Sequence, residues 1–387
     1  MTATAPPTPP LPPVPHEPPK PPAPAPRRRH WPAAAALVVA LGAGGVLLLG
    51  GGSGNDPATP PPARTDAKSV WPDAKRADLP ATLPDGPLFT PSIFLDTTTA
   101  VGTAPTPKGD ESRLLLRSGD RVRELRRLPV AANPQFEAFT ADDKQIFWAE
   151  STATAPAVRL WTADRNGGPA RELTADTGNA VFFGNQYDLV VADGKLHWAA
   201  APGDVTEATE IRSAPLGGGK VSVRTEPGQW TQSAWPWLVD DGSTSGEPRL
   251  RNQSTGRDVK IAVSGLDVLT CGPVWCRAMV MGDEVLTRID LVRPDGADRR
   301  KIAGSAAQSA ITDVAVLDRY EVLSEPGPDT ELTGAAALVV YDITTGRTVD
   351  IAPDADGAFA RGGMLWWSTA DEDEQITWHT LDLRTVP

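Results

Sequence analysis

The chain has 387 residues, 40 of them Pro and 35 Gly, and a formal charge of −12 at pH 7. Its first 30 residues hold Lys20, Arg27, Arg28 and Arg29 against Glu17, a charge of +3, which leaves −15 on the remainder. A body that acidic repels nucleic acid and anionic lipid head groups, so no nucleic-acid partner is expected.

Within residues 1–30, positions 6–26 read PPTPPLPPVPHEPPKPPAPAP. Such a tract cannot bury enough apolar surface to fold and is expected to be a disordered, largely polyproline II tail. Its PxxP repeats fit aromatic-lined grooves, which makes a cytoplasmic contact through the tail an expectation. Residues 31–52 (WPAAAALVVALGAGGVLLLGGG) hold no charged side chain. As a helix they are about long enough to span a hydrocarbon core of ~30 Å. Arg27 to Arg29 mark the cytoplasmic flank and Trp31 an interfacial one. The run reads as a transmembrane signal anchor in the plasma membrane, N-terminus inside. A cleaved signal peptide is the competing reading, but the segment before the run is long, the run itself is longer than a signal-peptide core, and no A-x-A site follows. A buried core helix fits poorly between two such polar tracts. Residues 53–68 (SGNDPATPPPARTDAK) read as a flexible extracytoplasmic linker. The composition, rich in Ala, Pro, Gly and Arg, suggests a GC-rich bacterial genome.

From residue 69 to residue 387 one phrase recurs: acidic turn, apolar strand with an aromatic, loop, second strand, Asp/Gly turn, basic third strand. Its centres are Trp148, Trp198, Leu238, Trp275, Tyr320 and Trp366. A spacing of roughly 45 residues is that of a β-propeller blade, a four-stranded antiparallel sheet. The expected fold is therefore all-β, a propeller of about seven blades, with six to eight allowed by the length. Blade four (PWLVDDG, EPRLRNQSTG, RDVKIAVSG) matches the phrase least well. Asn166-Gly167-Gly168, Gly217-Gly218-Gly219, Asp295-Gly296 and Thr345-Gly346 fall where third and fourth strands turn, since tight hairpins need residues that tolerate positive φ. The last blade lacks an outer strand. Residues 68–74 (KSVWPDA) are expected to supply it by pairing with Thr377–Leu383, because an open ring would expose a sheet edge.

FTADDKQIFWAES, ADRNGGPARELT and VRPDGADRRKIA resemble the repeats of TolB-like propellers. That resemblance implies a non-catalytic protein-interaction scaffold outside the cytoplasm. The membrane anchor and Pro-rich tail depart from the family pattern.

Few residues suggest chemistry. Cys271 and Cys276 flank a Gly-Pro turn in TCGPVWCR, where opposed hairpin positions approach disulfide range. A bridge is expected in an oxidising compartment, with two buried thiols as the alternative. His197 and His379 each adjoin a Trp on an expected strand and read as satisfied strand residues. The sequence contains no G-x-S-x-G, H-E-x-x-H, P-loop or EF-hand spacing, so no catalytic residue, metal or cofactor is assigned. Asp240-Asp241 and Asp371 to Glu374 read as solvated loop tips, with calcium ligation the alternative. Trp230, Trp235 and Trp237 are a possible ligand surface for a sugar or peptide, with packing between blades as the alternative. The functional expectation is a non-catalytic binding or scaffold module that presents a propeller rim to an envelope protein or polymer. The alternatives are a hydrolase or lyase using central-channel carboxylates, with or without calcium, and a purely structural spacer.

Overall fold

A computed structural model describes residues 64–387 apart from 204–206, 243–245, 266, 284 and 372. The tail, the apolar run and most of the linker lie outside the described residues, among which no helix is long and apolar enough to cross a membrane.

Seven antiparallel sheets follow one another along the chain as blades. Blade one comprises Thr90–Phe94, Thr99–Pro105, Glu111–Ser118 and Arg121–Pro129, from the innermost strand outward. The period visible in the sequence has a simple origin. Trp148, Trp198, Leu238, Trp275, Tyr320 and Trp366 each sit in or just before the second strand of their blade, and none is more than 3 % exposed. Both faces of a blade are covered by neighbours, so the burial rule is that of a sandwiched sheet rather than strict in-out alternation. Trp366 and Trp367 illustrate it. They point to opposite faces and are both buried, Trp366 against blade one and Trp367 against blade six.

Each seam between adjacent blades carries its own apolar cluster, so cohesion is distributed around the ring. Leu114, Leu116, Phe139 and Trp148 join blades one and two; Leu160, Leu173, Leu196 and Trp198 join two and three. Blade four is reduced, with strands Thr231–Gln232, Trp237–Asp240, Arg249–Asn252 and Asp258–Lys260. The hairpin turns fall where the glycines placed them. Gly218 and Gly296 hold φ of 88° and 87°, a region a side chain strains to reach.

The ring is closed by the N-terminal segment, but by residues further along than 68–74. Arg76–Pro80 pairs antiparallel with Thr377 to Leu381 as the outer strand of blade seven. Residues 68–74 cannot run as a strand, for local reasons. The Asp66 side chain accepts from Lys68 N–H and caps a short helix, Ala67–Val70, and Pro72 then removes a backbone donor. Trp71 turns inward instead, edge-on to Tyr320 at 5.9 Å. Just upstream, Thr65–Asp66 pairs in parallel with Val349 and Asp350 of blade six. Residues read as linker by composition therefore belong to blade six, and the segment clasps two blades in succession.

Candidate functional site

In each blade the turn between the first and second strands lies on the same face of the ring. Most of these turns are short; in blade seven only Gly362 and Gly363 separate Ala358–Arg361 from Met364–Ala370. Blades three and six differ. In blade three nine residues, 181–189, loop out of the inner strand between Asn179–Ala180 and Val190–Ala192, which pairs back onto Lys195 to His197; in blade six ten residues separate Gln308–Ser309 from Tyr320–Glu325.

These two long loops meet over the channel. Arg361, at the end of blade seven's innermost strand, donates to the Phe139 carbonyl of blade two and, at 3.0 Å, to the Asn185 carbonyl of the blade-three loop. Gly362 N–H donates to Gln186 Oε1 at 2.9 Å. Blades three and seven stand as far apart as a seven-membered ring allows, so such bonds can only pass through its centre. Asp188, on the blade-three loop, accepts from Phe183 and Gly184 N–H at 2.9 and 2.7 Å. On the blade-six side Arg277 of blade five forms a buried ion pair with Glu321 at 2.6 Å and donates to the Asp313 and Thr312 carbonyls. Glu321 in turn accepts from Ala315 N–H at 2.7 Å. Ala315, Leu317 and Asp318 on this loop, and Ala138 in the bulge of blade two's inner strand, all hold positive φ. Such backbone persists only where its surroundings over-determine it.

Carboxylates from three blades gather here. Burial pushes the Asp313 carboxyl up to about 6, against the pull of Arg361, Gln186 and Arg277. Burial also raises Asp188, against its two backbone donors. Glu137 is accessible to water yet surrounded by protein, and that environment, then the Asp188 charge, raises it as well. Burial, followed by the charges of Asp313 and Asp318, raises the Tyr187 phenol. Desolvation lowers Arg361, while Asp313 and Asp188 pull it back up.

For Asp313 the linkage has a definite sign. A carboxyl that holds its proton more tightly when folded contributes nothing below its unfolded value near 3.8 and destabilises increasingly up to about 6. The full penalty above that is about 3 kcal/mol. Asp313→Asn is therefore expected to stabilise the protein at pH 7.5 and leave it unchanged at pH 4, as read by denaturant melts at both. Parallel curves for variant and wild type across that range would remove Asp313 from the account.

The residues singled out from the sequence lie elsewhere, in separate environments. Trp230 is buried in the seam of blades three and four, its ring between Arg249 and Arg251 at 4.8 and 4.7 Å, its Nε1 donating to the Pro227 carbonyl. Trp237 packs half-buried against the seam of blades four and five. Trp235, before the cis Pro236, leans across to blade three, 4.0 Å from the His197 ring, and donates to Asp193. Trp230→Ala is expected to cost about 3–5 kcal/mol and Trp235→Ala well under half of that, measured by melting. Equal effects would mean that the two rings share one environment. Cys271 and Cys276 form the expected disulfide as directly opposed partners on blade five's inner hairpin. His197 is buried and hydrogen-bonds the Ala192 carbonyl. Asp240, read as a solvated tip, is instead buried and paired with Arg249, while Asp371 caps its own loop by accepting from Asp373 and Gln375 N–H. Among the described residues no group of three or more His, Cys, Asp or Glu is placed to hold a metal.

Sequence reasoning missed Gln186, Asp188, Asp313 and Arg361. The local signal was the length of the two loops, irregular against a period that was otherwise recognised.

No family model matches the chain, and no curated protein matches it. Solved structures similar to it include an oligogalacturonate lyase in complex with manganese, at 14% identity and TM-score 0.43 over 81% of this chain and 85% of that one. An uncomplexed acylaminoacyl peptidase from Pyrococcus horikoshii has 11% identity and TM-score 0.45, covering 82% of this chain and 53% of the peptidase. The uncharacterized protein lmo1340 from Listeria monocytogenes EGD-e has 11% identity and TM-score 0.46, over 72% and 88%. At these identities the likeness is one of fold alone.

Proposed function

We propose that this is a TolB-like, membrane-anchored propeller that binds a partner on one rim without catalysis. Residues 31–52 hold it in the plasma membrane, residues 1–30 face the cytoplasm, and the propeller stands outside to meet an envelope protein or polymer. The observation that carries the reading is how the channel mouth is built. The blade-three loop is held by Arg361 and Gly362 and the blade-six loop by Arg277 and Glu321, and the two lift Phe183 and Leu317 to solvent, 56% and 48% exposed. Rigidly held loops with apolar tips are what a protein-binding rim needs. Co-purification from native membranes tests it, using tagged full-length protein, a tail-deleted form and a Phe183→Ala/Leu317→Ala form. A partner kept by the first two and lost from the third supports the rim; a partner kept by all three removes it.

A second reading draws on the raised carboxyls of Glu137, Asp188 and Asp313, which is the environment a channel hydrolase or lyase would require. Against it, both Asp188 oxygens already accept backbone N–H groups within the loop.

A further inference from the structure

Blade seven departs from propeller packing on one face. Trp367, Thr369, Thr377, His379 and Asp78 share the side turned to blade six, as cross-strand partners and their two-residue neighbours must. Next to Trp367 the face is polar, and the seam opens there into a groove of about 480 Å³, walled on the far side by Ile351, Ala352 and Pro353 of blade six. A groove of that volume lies in the range of small-ligand sites.

Its floor is fixed by a chain of hydrogen bonds. His379 Nδ1 lies 2.7 Å from Asp78 Oδ1, and His379 Nε2 lies 2.8 Å from Thr369 Oγ1. A carboxylate only accepts, so Nδ1 carries the proton; in the neutral ring Nε2 then accepts and the Thr369 hydroxyl donates. The arrangement has the order of a nucleophile, base and orienting acid. Asp78 is 72% exposed, however, and water screens its charge. What the chain does accomplish is to spend the Thr369 proton inward, leaving the floor with acceptors: the remaining lone pairs of Thr369 and of Asp78.

The charges are graded along the groove. Arg76 stands opposite Leu381 with Lys68 close by in sequence at the clasp helix, while Asp371 and Gln375 bound the opposite end, beyond the Thr369–Thr377 pair. Asp354 lies toward that acidic end of the blade-six wall, further along the strand from the Val349 and Asp350 positions that the clasp covers. Arg76 is committed, donating to the Ala67, Trp71 and Ala74 carbonyls, so Lys68 is the exposed cation. Six residues of strand separate the two ends, about 20 Å.

We propose that this groove binds a short extended peptide with free termini, its ammonium between Asp354 and Asp371 and its carboxylate at Lys68. Its N–H groups meet the acceptor floor and its side chains lie on Ile351, Pro353 and Trp367. Lys68 and Asp78 belong to the clasp and the opposite wall to blade six, so an occupied groove also fastens ring closure.

Pentaalanine is the probe, titrated calorimetrically into the detergent-solubilised full-length protein, beside its N-acetylated and C-amidated forms. Either block is expected to weaken binding by about tenfold or more. Lys68→Glu should weaken pentaalanine comparably but leave the C-amidated form unchanged, while Asp371→Asn should do the converse with the N-acetylated form. Hydrogen exchange at Arg76–Pro80 should slow with pentaalanine bound. No binding at millimolar peptide, or equal binding of free and blocked forms, overturns the proposal. Melting of each variant shows whether it is folded, and the Phe183→Ala/Leu317→Ala form should bind pentaalanine as the wild type does, which keeps failure of the rim separate from failure of the groove.

Discussion

Excising residues 64–80 is expected to abolish cooperative melting of the propeller, or to lower its stability by about 6 kcal/mol or more. Two side chains set the scale. Trp71 and Leu79 are 3% and 4% exposed, the first in the seam of blades six and seven, the second in that of seven and one. Truncating either to Ala costs about 2–5 kcal/mol, and a domain has only about 5–15 to lose. Excision also strips the ladder from Thr377 to Leu381, and it removes the Pro80 carbonyl that accepts from the buried Arg117 at 2.7 Å. The bared strand, Ile376–Asp382, becomes an edge able to pair with other chains, so concentration-dependent association should accompany the loss. Excising only residues 64–66 is the informative contrast. It removes the parallel pairing, the Arg64–Glu325 ion pair and the Asp66 cap on the short helix, and should cost about 1–2 kcal/mol. Unfolding curves of the three chains check the ordering; a 64–80 excision that melts like the wild type would mean that the ring holds without its clasp.

The closure shows where sequence reading works in this fold and where it fails. Blade period was legible because each second strand must bury one large residue between two neighbouring sheets, a requirement that repeats whatever the turns do. That an N-terminal segment closes the ring followed from the missing outer strand. Its register did not follow, because Trp71 looks like a strand centre, and nothing in a blade phrase reveals that Asp66 caps a helix and Pro72 ends it. The channel mouth was less legible still. Gln186, Asp313 and Arg361 are widely separated in sequence, and nothing within any one of the three stretches points to the other two. Their convergence is a property of ring closure rather than of any segment. The three Trp residues mislead for the opposite reason: Trp230, Trp235 and Trp237 are close in sequence, yet Trp230 is buried in the seam with blade three, Trp235 lies half-buried over His197, and Trp237, beyond Pro236, packs toward blade five.

Arg277→Met is expected to destabilise the protein by about 3–5 kcal/mol, because Glu321, whose side chain is 0% exposed, would be left as an unpaired buried charge. The lost bond is only part of the effect. Arg277 also satisfies the Thr312 and Asp313 carbonyls, and Glu321 holds Ala315 N–H, so this inter-blade pair tethers the blade-six loop in its positive-φ conformation. Stability and loop position can therefore be separated. The double variant Arg277→Met/Glu321→Leu removes both charges and should regain most of the lost stability, since an apolar pair can replace a buried ion pair. It should not regain the loop, because no donor then reaches the two carbonyls and no acceptor reaches Ala315. Denaturant unfolding of the single and double variants gives the first quantity, and hydrogen exchange of the amides from Thr312 to Asp318 gives the second. Recovered stability with fast exchange would assign the ion pair to shaping the rim; recovery of both would make it ordinary packing.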